Sequence, residues 1–125
     1  MPLAALPTLV LGASTNPDRY SYLAMQMLAE AGIEVWALGS RPGMIDGIQI
    51  HTTWDELPAG DLDTITLYIG PERQPAYYEQ ILSVKPRRII FNPGTENPVL
   101  EQLANSQGIQ TLQACTLVML RTNLY

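Results

Sequence analysis

Two short runs, Thr8-Leu9-Val10-Leu11-Gly12 and Glu34-Val35-Trp36-Ala37-Leu38-Gly39, are largely apolar and each close on a glycine, and this repeated pattern restricts the fold most. An apolar run without alternation suits a strand covered on both faces, as in a parallel sheet. Between the two runs Tyr20, Leu23, Ala24, Met27, Leu28 and Ala31 recur at helical spacing, with Gly32 as the stop. Strand, helix and strand together span about 30 residues, the size of a βαβ unit, whose crossover is right-handed.

The alternation continues along the chain. Ser40 to Gly47, rich in Gly and Pro, reads as a loop, and Ile48 to His51 as a short edge strand. Trp54 to Leu57 forms one helical turn closed by Pro58. Thr64 to Ile69 carries the strongest strand signal, and Gly70-Pro71 ends it. Pro75 suits the first turn of a second helix that buries Tyr77, Tyr78, Ile81 and Leu82 and stops before Pro86. A strand follows at Arg88 to Phe91. Asn97-Pro98 is a capping pair opening a helix with Val99, Leu100, Leu103 and Ala104 on its apolar side. A strand at Ile109 to Ala114 and a short helix from Cys115 to Leu120 complete the order. The expected class is α/β: one doubly wound, Rossmann-like domain over residues 1–125, with a mostly parallel sheet and residues 1–7 as a loose leading segment. The expected strand order is 3-2-1-4-5-6, the Ile48 segment being strand three.

Composition narrows the partners. No apolar stretch approaches the roughly 20 residues of a membrane span, and the start of the chain lacks the basic region of a signal peptide. The reading is a cytoplasmic protein with no membrane partner. Cys115 is the only cysteine, which excludes an internal disulfide and a multi-cysteine zinc site. The formal charge of −5 disfavours a nucleic-acid surface, so an anionic ligand must be held locally. A homo-oligomer is compatible with everything above.

Ligands of doubly wound sheets sit beyond the carboxyl ends of the strands, so the loops there carry the functional reading. Gly12-Ala13-Ser14-Thr15-Asn16-Pro17-Asp18-Arg19-Tyr20 stands between the first strand and the first helix. Free amides, the Ser14 and Thr15 hydroxyls and the positive end of the helix can hold a phosphate there, although such residues also make ordinary turns. The loop is neither G-x-G-x-x-G nor a P-loop, since no Gly-Lys-Ser/Thr follows. After strand two, Gly39-Ser40-Arg41 offers no carboxylate for a ribose diol, and the next acid is Asp46. An arginine there favours a phosphorylated ribose, and both the 2′-phosphate of NADP and the 3′-phosphate of coenzyme A qualify.

Arg19, Arg41 and Arg73 each lie in a loop leaving a strand's carboxyl end and therefore share one edge, which reads as an anion site in an acidic chain. Arg87 and Arg88 precede a strand and belong to the opposite edge, and Arg121, near the terminus, is expected to stay apart. Ile69-Gly70-Pro71-Glu72 and Asn92-Pro93-Gly94-Thr95-Glu96 wall the groove. Gly70 and Gly94 either let a ligand pass close to backbone or simply make turns. Cys115 follows a strand's carboxyl end, as a thiolate facing the ligand or as a small buried side chain. No catalytic set assembles: His51 is the only histidine, and there is no Tyr-x-x-x-Lys pair, G-x-S-x-G elbow or metal-ligand cluster.

Gly12-Ala13-Ser14, Pro17-Asp18-Arg19-Tyr20, Leu38-Gly39-Ser40-Arg41, Tyr68-Ile69-Gly70-Pro71, Phe91-Asn92-Pro93-Gly94-Thr95-Glu96-Asn97-Pro98 and Ala114-Cys115 together resemble the stand-alone CoA-binding protein family. These small bacterial and archaeal proteins are relatives of the N-terminal CoA-binding domain of the succinyl-CoA synthetase α subunit. The resemblance runs from Thr8 to about Leu120. It implies a coenzyme A or acyl-CoA ligand, with the Gly12 to Tyr20 loop at the pyrophosphate, Ser40 and Arg41 at the phosphorylated adenosine end, and Ile69 to Arg73 on the adenine or pantetheine side. Family members often carry Pro-Lys where Ser40-Arg41 stands here, so the positive charge is kept with a different grip. The larger relatives form a phosphohistidine. No matching histidine exists in this chain, so the resemblance implies binding rather than ligase chemistry; the alternative left by the residues is an NADP-binding reductase or a fragment of one.

Overall fold

The computed structural model describes residues 6–125. Seven strands form one sheet: β1 (Thr8–Leu11), β2 (Val35–Leu38), β3 (Gly43–Ile45), β4 (Ile48–His51), β5 (Thr64–Leu67), β6 (Arg88–Phe91) and β7 (Gln110–Gln113). Four helices cover it: α1 (Tyr20–Glu30), α2 (Tyr78–Val84), α3 (Pro98–Ser106) and α4 (Thr116–Arg121), with single-turn 3-10 geometry at Trp54–Glu56 and a longer 3-10 segment at Pro71–Tyr77. The sheet order is β3-β4-β2-β1-β5-β6-β7. Every neighbouring pair is parallel except β3 with β4. This is the doubly wound α/β class that the sequence predicts.

The expected order 3-2-1-4-5-6 reappears in β4-β2-β1-β5-β6-β7, but β3 lies outside it as an additional, antiparallel edge strand. The stretch expected to be loop therefore contains half of a hairpin. Ile45 pairs with Ile48, leaving Asp46-Gly47 as a two-residue turn with φ of 48° and 83°. An Asp-Gly pair tolerates positive φ at both positions and makes the mirror-image turn that matches strand twist. Ile45 is buried by the arrangement.

Strand alternation splits the core into two layers. Leu9, Leu11, Ile65, Leu67, Ile89 and Phe91 face Ile81 of α2 and Leu100 and Ala104 of α3. Val10, Ala37, Ile45 and Ile50 face Met25 and Leu28 of α1, with Leu120 of α4 alongside. In α3 only Leu100 and Ala104 of the predicted apolar side are buried; Val99 and Leu103 are exposed. The second helix starts later than expected because Pro71 and Pro75 both lack a backbone donor, holding Pro71–Tyr77 in 3-10 geometry. Residues 1–5 of the expected loose segment lie outside the described residues, while the Pro7 carbonyl accepts from the Asp63 amide at 2.9 Å. Among the described residues no helix is long and apolar enough to cross a membrane.

Candidate functional site

The carboxyl ends of β1, β2, β5 and β6 open onto three adjoining hollows. The first, about 390 Å³, is lined by Ala13, Ser14, Thr15, Asn16, Arg19, Ser40 and Arg41. The second, about 270 Å³, shares Ala13, Ser14, Arg19 and Ser40 with it and adds Gly12, Tyr20, Ser21, Tyr68, Ile69, Arg73, Pro93 and Thr95. The third, about 310 Å³, shares Tyr20, Tyr68 and Pro93 and continues to Asn92, Cys115, Leu117, Val118 and Arg121. Shared walls make them one groove running from Arg41 to Cys115. Every charged side chain lining it is an arginine: Arg19, Arg41, Arg73 and Arg121. Among the described residues these four form no ion pair. A larger hollow, about 520 Å³, lies by the start of β2 and β4 and has Glu34 in its wall instead.

Backbone geometry brings the first two loops together. Gly12 has φ of +104°, and a Cβ there would stand 2.9 Å from the Tyr68 carbonyl carbon, so only glycine lets β1 turn so close to β5. A Cβ on Gly39 would collide with the Ala13 carbonyl oxygen, so the loops after β1 and β2 touch through that position. The Gly12 and Ala13 amides both donate to the Leu38 carbonyl, at 2.9 and 3.0 Å. Both amides are thus consumed in fastening the loop. Ser14 Oγ accepts from the Asn16 amide at 3.0 Å, and Asn16 Oδ1 from the Asp18 amide at 3.0 Å. The Ser14 hydroxyl proton stays available to the groove.

Helix α1 runs 11 residues from this loop, with Arg19 at its N-cap making no side-chain cap and no acid in its first turn. A cation at the positive end of a helix is the unfavourable arrangement unless an anion joins it. Here the end is lined by Arg19, Tyr20 and Ser21, and Arg73 lines the same hollow.

The far wall is braced by Gln74, which the sequence does not single out, and by Asn92, which it does. Gln74 is fully buried; its Nε2 donates to the Ile69 carbonyl at 3.1 Å and the Thr95 carbonyl at 2.7 Å, and its Oε1 accepts from Asn97 at 2.9 Å. It locks the loop after β5 to the loop after β6. Asn92 touches the third hollow, but its amide is consumed. Nδ2 donates to Thr66 Oγ1 and the Leu67 carbonyl, and Oδ1 accepts from the Thr116 amide at 2.8 Å, so it ties β5 and β6 to α4. The Tyr68 hydroxyl is buried and makes no hydrogen bond among the described residues. Burial pushes its pKa up to about 12, the nearby Thr116 and Thr66 hydroxyls offsetting only part of that, and the phenol stays neutral.

Of the residues expected at the site, Pro17, Gly39, Gly70, Pro71 and Gly94 do not line the groove. Gly94, with φ of 92° behind Pro93 and the Thr95 amide bonded to the Asn92 carbonyl at 2.9 Å, is the third residue of a turn. Cys115 is half-buried and lines the third hollow. Arg121 corrects the expectation that it stays apart. Side chains of a helix lean toward its N-terminus, and α4 begins at the carboxyl edge, so Arg121 reaches back into the same hollow as Leu117 and Val118. Its spacing of three from Val118 was the available signal.

The family model of the CoA binding domain matches residues 7–121. Among solved structures, an uncharacterized protein is 42% identical with a TM-score of 0.90, covering 98% of this chain and 100% of its own. A hypothetical protein from Pyrococcus horikoshii OT3 is 21% identical with a TM-score of 0.83, over 96% of this chain and 84% of that one. The dinucleotide forming acetyl-coenzyme A synthetase 1 of Ca. Korarchaeum cryptofilum, solved with phosphate and ADP, is 14% identical with a TM-score of 0.68, over 89% of this chain and 26% of that one. At the last two identities the likeness is one of fold. No curated protein matched the sequence. The family match takes in every wall of the arginine-lined groove, from the loop after β1 to Arg121, and the chain belongs to the CoA binding domain family.

Proposed function

We propose that this chain binds coenzyme A or an acyl-CoA along the groove, as a binding protein without chemistry of its own. The observation that carries the reading is the groove's lining, in which every charged side chain is an unpaired arginine although the chain as a whole is at −5. Guanidinium groups grip phosphate oxygens bidentately, and a local positive lining in an acidic molecule is what holds a polyphosphorylated ligand. Arg41 and Ser40, at one end, take the 3′-phosphate of the adenosine. The pyrophosphate lies between Arg19 and Arg73, with the Ser14 hydroxyl and the uncapped end of α1 as further donors. The pantetheine arm then passes Tyr20 and Pro93 toward Cys115.

Calorimetry with CoA, dephospho-CoA and NADP tests the reading. CoA is expected to bind tighter than dephospho-CoA by about 10- to 150-fold, the equivalent of a charge-assisted contact of about 1.5–3 kcal/mol. Arg41→Ala should bring the two together. Equal affinity for CoA and dephospho-CoA in the unaltered protein refutes the role of Arg41, and tighter binding of NADP than of CoA would replace this reading with that of a dinucleotide site.

A further inference from the structure

The third hollow lies beyond the phosphate-holding arginines, and its character differs from theirs. Leu117, Val118, Pro93 and Tyr20 give it apolar walls, and Arg121 is its single charged residue. Among the described residues Arg121 has no carboxylate partner. If the phosphates lie against Arg19, Arg41 and Arg73, none of them reaches this end. The exposed guanidinium stays hydrated beside a free thiol or a neutral acyl chain and contributes nothing to holding either. A short chain ending in a carboxylate satisfies both halves of the wall: methylenes against Leu117 and Val118, and two oxygens against the planar fork of Arg121.

Resting on the CoA reading above, we infer that the preferred ligand is an acyl-CoA whose short acyl chain ends in a carboxylate, with Arg121 as the residue that selects it. Arg121 is exposed on the last turn of α4, so replacing it leaves the core untouched.

The test is calorimetry on the full chain with CoA and two length-matched pairs, malonyl-CoA against propionyl-CoA and glutaryl-CoA against pentanoyl-CoA. The better-bound diacid is expected to exceed its neutral partner by about tenfold. Arg121→Gln should shrink that preference to within about twofold, and Arg121→Lys, which keeps the charge without the fork, should fall between. Equal binding of both pairs, or a preference that survives Arg121→Gln, overturns the inference and leaves the CoA reading standing. Failure of all five ligands to bind removes the two together.

Discussion

Arg88, at the start of β6, and Arg41, after β2, carry the same guanidinium to opposite edges of the sheet and meet opposite surroundings. Arg88 is 6% exposed; its Nε donates to Thr64 Oγ1 at 2.9 Å, and its guanidinium lies 4.4 Å from the centre of the Tyr125 ring. The Tyr125 hydroxyl in turn bonds Thr8 Oγ1, so the last residue is pinned beside the first strand. Arg87, next to it, holds Asp63 through two contacts, at 2.7 and 3.1 Å. At the amino edge each arginine has a partner within the chain. At the carboxyl edge Arg19, Arg41, Arg73 and Arg121 have no ion-pair partner among the described residues and line one groove. The contrast separates arginines that hold the fold from arginines that await an anion, a distinction that exposure or charge alone does not draw.

The strongest way to break the contrast is to remove Arg88. Losing a charge-assisted hydrogen bond and a cation over an aromatic ring from a buried site should cost about 2–4 kcal/mol of stability. Urea unfolding of Arg88→Ala measures this, with the affinity for CoA expected to stay within about twofold because no groove residue is touched. A stable variant that binds CoA poorly would mean that the two edges are not independent.

The mirror experiment removes Arg73, which lines the central hollow together with Arg19. Arg73→Ala is expected to lose about 1.5–3 kcal/mol of CoA binding. Its melting temperature without ligand should be unchanged or slightly higher, since one member of a like-charged cluster is gone. Repeating the titration at raised salt sharpens the result: binding by the unaltered protein should weaken more steeply than binding by the variant.

Much of this arrangement can be read from residues alone, and the parts that cannot share a cause. Thr8 to Leu11 betrays a parallel strand because burial on both faces removes alternation. Asn97-Pro98 shows its role because a cap is a local event: Asn97 Oδ1 accepts from the Val99 and Leu100 amides, as that residue pair implies. The edge position of Arg19, Arg41 and Arg73 follows from direction of travel along parallel strands. By contrast β3 stays hidden because Gly43 and Pro42 mark its segment as loop, and only the Asp46-Gly47 turn betrays the hairpin. Val99 and Leu103 mislead because α3 packs on the last strand, β7, and lacks a further neighbour to cover its outer side. Gln74 and Arg121 were missed because their roles depend on which loop or helix lies opposite, and that is settled by tertiary packing rather than by local pattern.

The smallest expected effect lies next door to the largest. Arg87 is an arginine with a partner, like Arg88, but its side chain is 59% exposed against 22% for Asp63. Burial acts to raise the Asp63 pKa, yet hydrogen bonds from Arg87 and Thr64 outweigh it and hold the carboxyl below its ordinary 3.8. A carboxylate with a depressed folded-state pKa contributes stability that is fully present above the unfolded value and is lost as pH falls through the folded one. Arg87→Ala should therefore cost under about 1 kcal/mol at neutral pH, the range of a solvent-screened pair. The gap between variant and unaltered protein should then close as acid takes the solution below 3.8 and through the folded value. Denaturant midpoints across that pH range measure it. A loss at neutral pH as large as that from Arg88→Ala would show that Arg87, Asp63, Thr64 and Arg88 act as one coupled network, and that partnership, rather than burial, is what sets the amino-edge arginines apart from those of the groove.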